Sequence, residues 1–333
     1  MPRGDIMEAG MNEMDLEGKG QSEGKKEKKL VVLIFSVCIA LIIGIKAYTM
    51  LAEHSPKGQG DYTVQKEQYY VQYSEQYDYL EVLTVEYPRL EGTEEETQTL
   101  INQLLYDTAM DRVNYWHFEP DEEVRKLQEE YTIFSSDVRC DVAYHSQYLL
   151  SVDFKEIYAP IDPVYYVYSA ERGINLDLMT GEVYELADIL RIDEDFIDLW
   201  LQAANRKYGE EMPYEEEMRR YLLEWFSGEG GEEGESYDFR PFFHITSEKN
   251  FSIGLSVDPK PEGITGSAPK NNVYSVILLW SDVEPYRTES EFWSKYEESE
   301  TAGRVFECPD RQENLWLGED AGVWQYWLER GIE

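Results

Sequence analysis

From Leu30 to Ile45 the chain reads LVVLIFSVCIALIIGI, sixteen residues without a charge. A run of this kind either crosses a bilayer or serves as a secretory leader. At about 1.5 Å of rise per residue it covers roughly 24 Å, short of the roughly 30 Å hydrocarbon core. Lys46 interrupts it, but AYTMLA follows. A lysine at that place can send its ammonium to the interface, so a transmembrane helix over 30–52 reaches the required length. Lys25, Lys26, Lys28 and Lys29 stand just before it. Positive charge on that flank predicts a cytoplasmic N-terminus and places everything after residue 52 outside the cell membrane. The rival reading is a cleaved signal peptide, with Ala47 and Thr49 as small residues at the cleavage site. Against it stand the long charged stretch before the run and the lysine between the run and any such site. Cys38 reads as ordinary helix packing, with palmitoylation as the alternative.

Residues 1–29 lack a periodic apolar pattern and predict a disordered cytoplasmic tail. Met7, Met11 and Met14 share a helical face, the alternative being a short partner-binding helix that Gly10 and Gly18 weaken. The outer part is different. Hydrophobic residues make up 42% of the chain and aromatics 14%, enough to fill a core. The formal net charge is −38, from 68 acidic and 30 basic side chains. A surface so negative repels nucleic acid and anionic headgroups and excludes a DNA- or RNA-binding role. Beyond Cys38 there are two cysteines, Cys140 and Cys308; one bridge or two free thiols fit, and a domain of this size needs no staple.

Residues 53–77 predict a juxtamembrane linker. Its Tyr69, Tyr73 and Tyr77 would share one face of a helix, as platforms for sugar rings or as a polar spacer docked on the domain. An extracytoplasmic domain is expected over 78–300, in halves 78–160 and 161–290, with a C-terminal extension over 301–333. YLEVLTVEYPRL from Tyr79 alternates as a strand. Thr93 with Glu96 forms a capping box for a helix whose apolar side carries Leu100, Ile101, Leu104, Leu105 and Thr108. A charged helix over 121–130 follows, then strands at 137–143 and 148–158. A hairpin outline comes next, with strands at 164–169 and 173–178 and a turn over 179–182 into Val183–Tyr184. Helices are expected over 193–208, with Phe196, Ile197, Trp200, Leu201 and Ala204 on one side, and over 214–226. The run 227–236 reads as a solvated loop. A hairpin turning at 248–250, a Pro/Gly loop and a buried strand over 273–279 lead to helices at 289–299 and 319–329. Grouped strands and helices predict an α+β fold, an antiparallel sheet with helices packed on it.

No chemical motif stands out. His54, His117, His145 and His244 are scattered, without HExxH or CxxC spacing, so no metal or cofactor is expected. GxSxG, Walker and GxGxxG patterns are missing from the sequence. Carboxylates are too abundant for any pair to be singled out. Asp193, Glu194 and Asp195 read as a helix cap and first-turn charges rather than a calcium site. The clusters Glu94–Glu96, Glu210–Glu211 with Glu215–Glu217, and Glu232–Glu235 read as solvated faces, with weak binding of divalent cations or cationic proteins as the secondary reading.

The order VEYPRLEG (85–92), LINQLL (100–105), INLDLMTGEVYELADIL (174–190), FFHITSEKNFSIGL (242–255) and VYSVILLWSDVEPY (273–286) resembles the domain of unknown function 3298 family, with the segment that usually precedes it. Asp177–Gly181, Leu186–Leu190 and the strand ending at Pro285-Tyr286 carry most of the resemblance. It spans roughly 78–290, and its motifs are structural rather than catalytic. The chain departs from the family in reading Ala159-Pro160-Ile161-Asp162-Pro163 where a Gly/Ala-His-Pro stretch is common, and in carrying no deacetylase domain. The resemblance implies an RsiV-like extracytoplasmic domain, of the kind found in a lysozyme-sensing anti-sigma factor and beside a peptidoglycan deacetylase. Such a domain binds proteins or cell-wall material and does no chemistry. The expectation is therefore a membrane-anchored, non-catalytic binding or sensing module of a bacterial envelope, with a cationic protein or cell-wall polysaccharide as partner. The alternatives are an anti-sigma-factor-like transducer and a cell-wall hydrolase.

Overall fold

The computed structural model describes residues 58–74, 77–130, 133–161, 168–209, 215–228, 237–259 and 273–311. The expected membrane helix, the tail before it, Lys25, Lys26, Lys28, Lys29 and Lys46, and the helix expected at 319–329 lie outside the described residues. So do the loop at 229–236 and the Pro/Gly loop at 260–272. Among the described residues no helix is long and apolar enough to cross a membrane.

The described residues belong to one compact unit that begins at Gly58. Strands β1 (Thr63–Ser74), β2 (Tyr77–Glu91), β3 (Ile133–His145), β4 (Leu149–Ile161), β5 (Tyr168–Asp177) and β9 (Arg304–Phe306) form one sheet, in the order β5-β4-β3-β2-β1-β9. Strands β6 (Tyr237–Ile245), β7 (Phe251–Pro259) and β8 (Val273–Leu278) form an antiparallel second sheet. Five helices follow in chain order: α1 (Glu95–Val113), α2 (Glu122–Glu130), α3 (Glu194–Tyr208), α4 (Glu215–Phe226) and α5 (Glu291–Glu298). Single helical turns at Leu186–Ile189 and Trp280–Val283 punctuate the loops.

The α+β class with helices packed on sheets is as expected, but the large sheet is mixed. Strands β2 and β3 run parallel, and so do β1 and β9. A parallel neighbour needs a crossover, and α1, a π-helical turn at Asn114–Phe118 and α2 supply it between β2 and β3.

The stretch expected as a linker is largely β1. It pairs with β2 from Thr63↔Glu91 to Gln72↔Val82, with Tyr69 opposite Val85. Tyrosines spaced four apart satisfy a helical face and an even strand period alike. The β-branched and aromatic content of TVQKEQYYVQYS decides for the strand. Beyond the expected C-terminal limit, β9 closes the far edge beside β1, so the two outermost strands at that end of the large sheet come from outside 78–300.

Two cores form. Ile101, Leu105, Ala109 and Val113 of α1 pack with Leu83, Val85, Val138, Val152 and Phe154 of the large sheet. Leu100, expected on the same apolar side, is exposed. The second core gathers Phe196, Ile197, Trp200, Leu201 and Ala204 of α3 with Phe251, Ile253 and Leu255 of β7 and Phe292, Trp293 and Tyr296 of α5. Trp200 and Trp293 also donate their indole N–H to the Ile253 and Ile189 carbonyls, at 2.9 and 2.8 Å.

Candidate functional site

The face of the large sheet turned away from α1 is charged. In β3 the residues Asp137, Arg139 and Asp141 alternate with Val138 and Cys140, which enter the core. Register brings Ile157, Lys155 and Asp153 of β4 opposite them, and Ser169, Glu171 and Gly173 of β5 beyond. Asp141 and Asp153 are thus direct cross-strand partners of like sign, a destabilising arrangement by itself. Lys155 resolves it: its ammonium lies 3.2 Å from Asp141 Oδ2 and 3.3 Å from Asp153 Oδ2. Lys66 reaches Asp141 Oδ1 at 3.5 Å from β1. Burial works against the Asp141 carboxylate, yet Lys155 and Lys66 outweigh it and hold the group below its ordinary range.

At the β4–β5 end the second sheet crosses this face. β6 approaches so closely that a Cβ at Gly173 would meet the Phe243 carbonyl oxygen at 1.9 Å. A buried polar seam forms there. Asn175 Nδ2 donates to the Phe243 carbonyl at 2.9 Å, Ser151 Oγ donates to Asn175 Oδ1 at 2.7 Å, and Ile245 N donates to Ser151 Oγ at 2.9 Å. Ser256 of β7 donates to the Glu171 carbonyl and accepts from its N–H, at 2.6 and 2.8 Å.

Beside this seam stand Asp153, Glu171 and His244, one from each of β4, β5 and β6. Their ligand atoms all lie within 4.8 Å of one another. His244 Nδ1 is 3.6 Å from Asp153 Oδ1 and 3.9 Å from Glu171 Oε1. Asp153 is 3% exposed and His244 9%. Among the described residues neither His244 Nδ1 nor Asp153 Oδ1 has a hydrogen-bond partner, a situation that costs about 1–3 kcal/mol per buried polar atom. Burial lowers the His244 pKa, with Asp153 pulling the other way, so the imidazole is neutral at pH 7. Burial and then the Asp153 carboxylate push Glu171 up to about 8, against the pull of Lys155 and Lys207. A neutral imidazole and two carboxylates form a donor set for a divalent cation; the same Glu171, protonated, shares a hydrogen with Asp153 instead.

The expected ligand-contact aromatics are not gathered at this junction. Tyr69 lies in β1, 37% exposed, with its ring edge-on to Phe118 at 6.1 Å. Tyr73 lies in β1 and Tyr77 opens β2 opposite Ser74. Asp193 caps α3 as expected, accepting from Phe196 N at 3.0 Å. The expected box from Thr93 is replaced: Gln98 Oε1 accepts from Gly92 N at 2.9 Å, and the residue flanking α1 is Glu94. Glu94–Glu96 are exposed, as solvated charges should be. Cys140 and Cys308 are both free thiols.

Asp177, at the head of the most recognisable motif, proves to be an organiser of its own turn. Its fully buried carboxylate accepts from Met179 N at 2.7 Å and from the Tyr184 hydroxyl at 3.1 Å, and pairs with Lys295 of α5. A cleft of about 200 Å³ opens nearby, lined by Tyr184, Leu186, Trp225 and Phe243 among others. That is below the usual size of a small-molecule pocket, about 300–1,000 Å³.

No family model matches this sequence, and no curated protein does. Among solved structures, a domain of unknown function 3298 family member from Bacteroides fragilis is similar at 12% identity and a TM-score of 0.46, over 72% of this chain and 99% of that one. A protein of the same family from Pseudomonas aeruginosa is similar at 10% identity and a TM-score of 0.39, over 70% of this chain and 96% of that one.

Proposed function

We propose that this chain is a single-pass membrane protein whose folded unit stands outside the cell membrane as a non-catalytic binding or sensing module of a bacterial envelope. The observation that carries this reading is the partition of charge about Leu30–Ile45. Residues 1–52 hold seven basic and seven acidic side chains, so the whole formal charge of −38 falls on the residues after them. The four lysines just before the apolar run support insertion with the N-terminus in the cytoplasm, and the acidic charge lies on the far side of it. The charge also selects the partner. An acidic domain attracts cationic proteins by long-range steering, while cell-wall polysaccharide is the alternative occupant.

Protease added to intact cells tests the topology, and digestion of the C-terminal bulk is the expected result. Survival of that bulk in intact cells, with cleavage after lysis, overturns the reading. Capture of a cationic protein such as lysozyme, weakening steeply with ionic strength, is expected of the detergent-solubilised chain. Release of muropeptides from purified peptidoglycan would replace the binding reading with that of a hydrolase.

A further inference from the structure

We propose that Asp153, Glu171 and His244 form a binding site for a divalent transition-metal ion of the zinc class at the junction of the two sheets. The site is built rather than incidental. Three strands of two sheets deliver the three donors, and each strand is held by the seam of Ser151, Asn175 and Ser256. Asp153 divides its oxygens: Oδ2 faces the Lys155 ammonium at 3.3 Å, while Oδ1 is buried with no hydrogen-bond partner among the described residues. His244 Nδ1, also buried with no hydrogen-bond partner among the described residues, is aimed at that same oxygen. Two buried, unpartnered donor atoms facing one another across 3.6 Å, with Glu171 Oε1 3.9 Å from the imidazole nitrogen, leave a space that a cation would satisfy from all three sides.

The donor set selects the ion. With no thiolate present, copper(I) and iron–sulfur chemistry are disfavoured, and an imidazole nitrogen disfavours calcium and magnesium. Zinc bonds of about 2.0–2.1 Å in tetrahedral array place ligand atoms roughly 3.3 Å apart. The 3.6 and 3.9 Å separations exceed this by a few tenths of an ångström, and all three ligand atoms lie within 4.8 Å of one another, so binding draws the carboxylates inward by up to about 1.5 Å through side-chain rotation. Once Glu171 releases its proton to the incoming ion, two carboxylates balance the dication, and Lys155 stays engaged with Asp141 and the far oxygen of Asp153. A fourth coordination position remains for water.

The test uses the full chain in detergent, stripped with a chelator and titrated with zinc chloride by calorimetry. Saturable binding of one equivalent is expected. His244→Gln and Glu171→Gln should each weaken it by at least about tenfold, while the exposed Glu182→Gln leaves it unchanged. Near-ultraviolet dichroism identifies variants that keep the fold. Should both variants unfold, anomalous diffraction at the zinc edge from wild-type crystals decides, with the ion expected within bonding distance of His244 Nδ1. Absence of saturable binding, equal affinity in folded variants, or an ion located away from His244 would each overturn the proposal.

Discussion

Gly173 of β5 and Phe243 of β6 touch backbone to backbone: a methyl group at residue 173 would lie 1.9 Å from the Phe243 carbonyl oxygen and 2.7 Å from its carbon. The obstacle is main chain, in a strand also held by Asn175 and Ser151, so it cannot rotate aside as a side chain would. Gly173→Ala should therefore cost about 3 kcal/mol or more, the upper end of overpacking effects. Urea unfolding is the measurement. A midpoint unchanged from wild type would mean that the two sheets do not meet as described.

Lys295 and Asp177 join α5 to the turn after β5. The carboxylate is fully buried, and it also accepts from the Met179 and Thr180 N–H groups and the Tyr184 hydroxyl. Lys295→Met would leave a buried carboxylate short of its only cation among the described residues. A loss of about 3 kcal/mol is expected, because breaking one side of a buried pair leaves the desolvated charge uncompensated. The double variant Asp177→Asn with Lys295→Met should recover part of the loss. If the double variant is no more stable than Lys295→Met alone, the uncompensated-charge explanation fails.

Which parts of this architecture were legible in advance follows from the range of the forces involved. The stripe Phe196, Ile197, Trp200, Leu201, Ala204 has helical period and is buried as read. The hairpin turning at Lys249, which takes a φ of +59°, was visible in Glu248-Lys249-Asn250. The strand expected to be buried throughout is buried at Ser275, Val276 and Leu278 but not at Ile277. Ile277 of β8 is 64% exposed because no described residue covers the outer face of this edge strand at that position, and composition cannot report what covers a face. Strand β1 was hidden by a tyrosine spacing that suits both periods. The Asp153–Glu171–His244 junction was illegible for a stronger reason. Each member looks like an ordinary polar position in an alternating strand, and only the pairing of β4 with β5 and the crossing of β6 bring them together. The hint was local: an aspartate between Val152 and Phe154 and a histidine within FFHI are polar residues in apolar company.

Cys140 sits in β3 with its side chain in the core, and burial pushes its thiol well above the usual range, against the pull of Lys66. A thiolate is the reactive species, so this cysteine should resist alkylation in the folded protein. Cys308, partly exposed after β9, should react first. Peptide mapping after brief iodoacetamide treatment, with and without urea, is expected to show Cys308 labelled natively and Cys140 only on unfolding. Rapid native labelling of Cys140 would contradict the burial of this face of β3.

Asp137 supplies a pH dependence whose sign can be worked out. Its carboxylate is 1% exposed, beside the buried Glu86. Burial raises its pKa from 3.8 to about 6, Glu86 adds to the rise, and Arg139 and Arg311 oppose it. The folded state therefore binds the proton more tightly than the unfolded state. That contribution to stability is complete below about pH 4 and is lost as pH rises through 6, by at most about 3 kcal/mol. Asp137→Asn keeps the shape and removes the titration. Relative to the variant, wild type should lose stability between pH 4 and 6 and hold a constant difference above pH 7. Urea midpoints at four or five pH values measure this, and parallel curves for the two proteins would show that Arg139 and Arg311 already hold Asp137 ionised across the whole range.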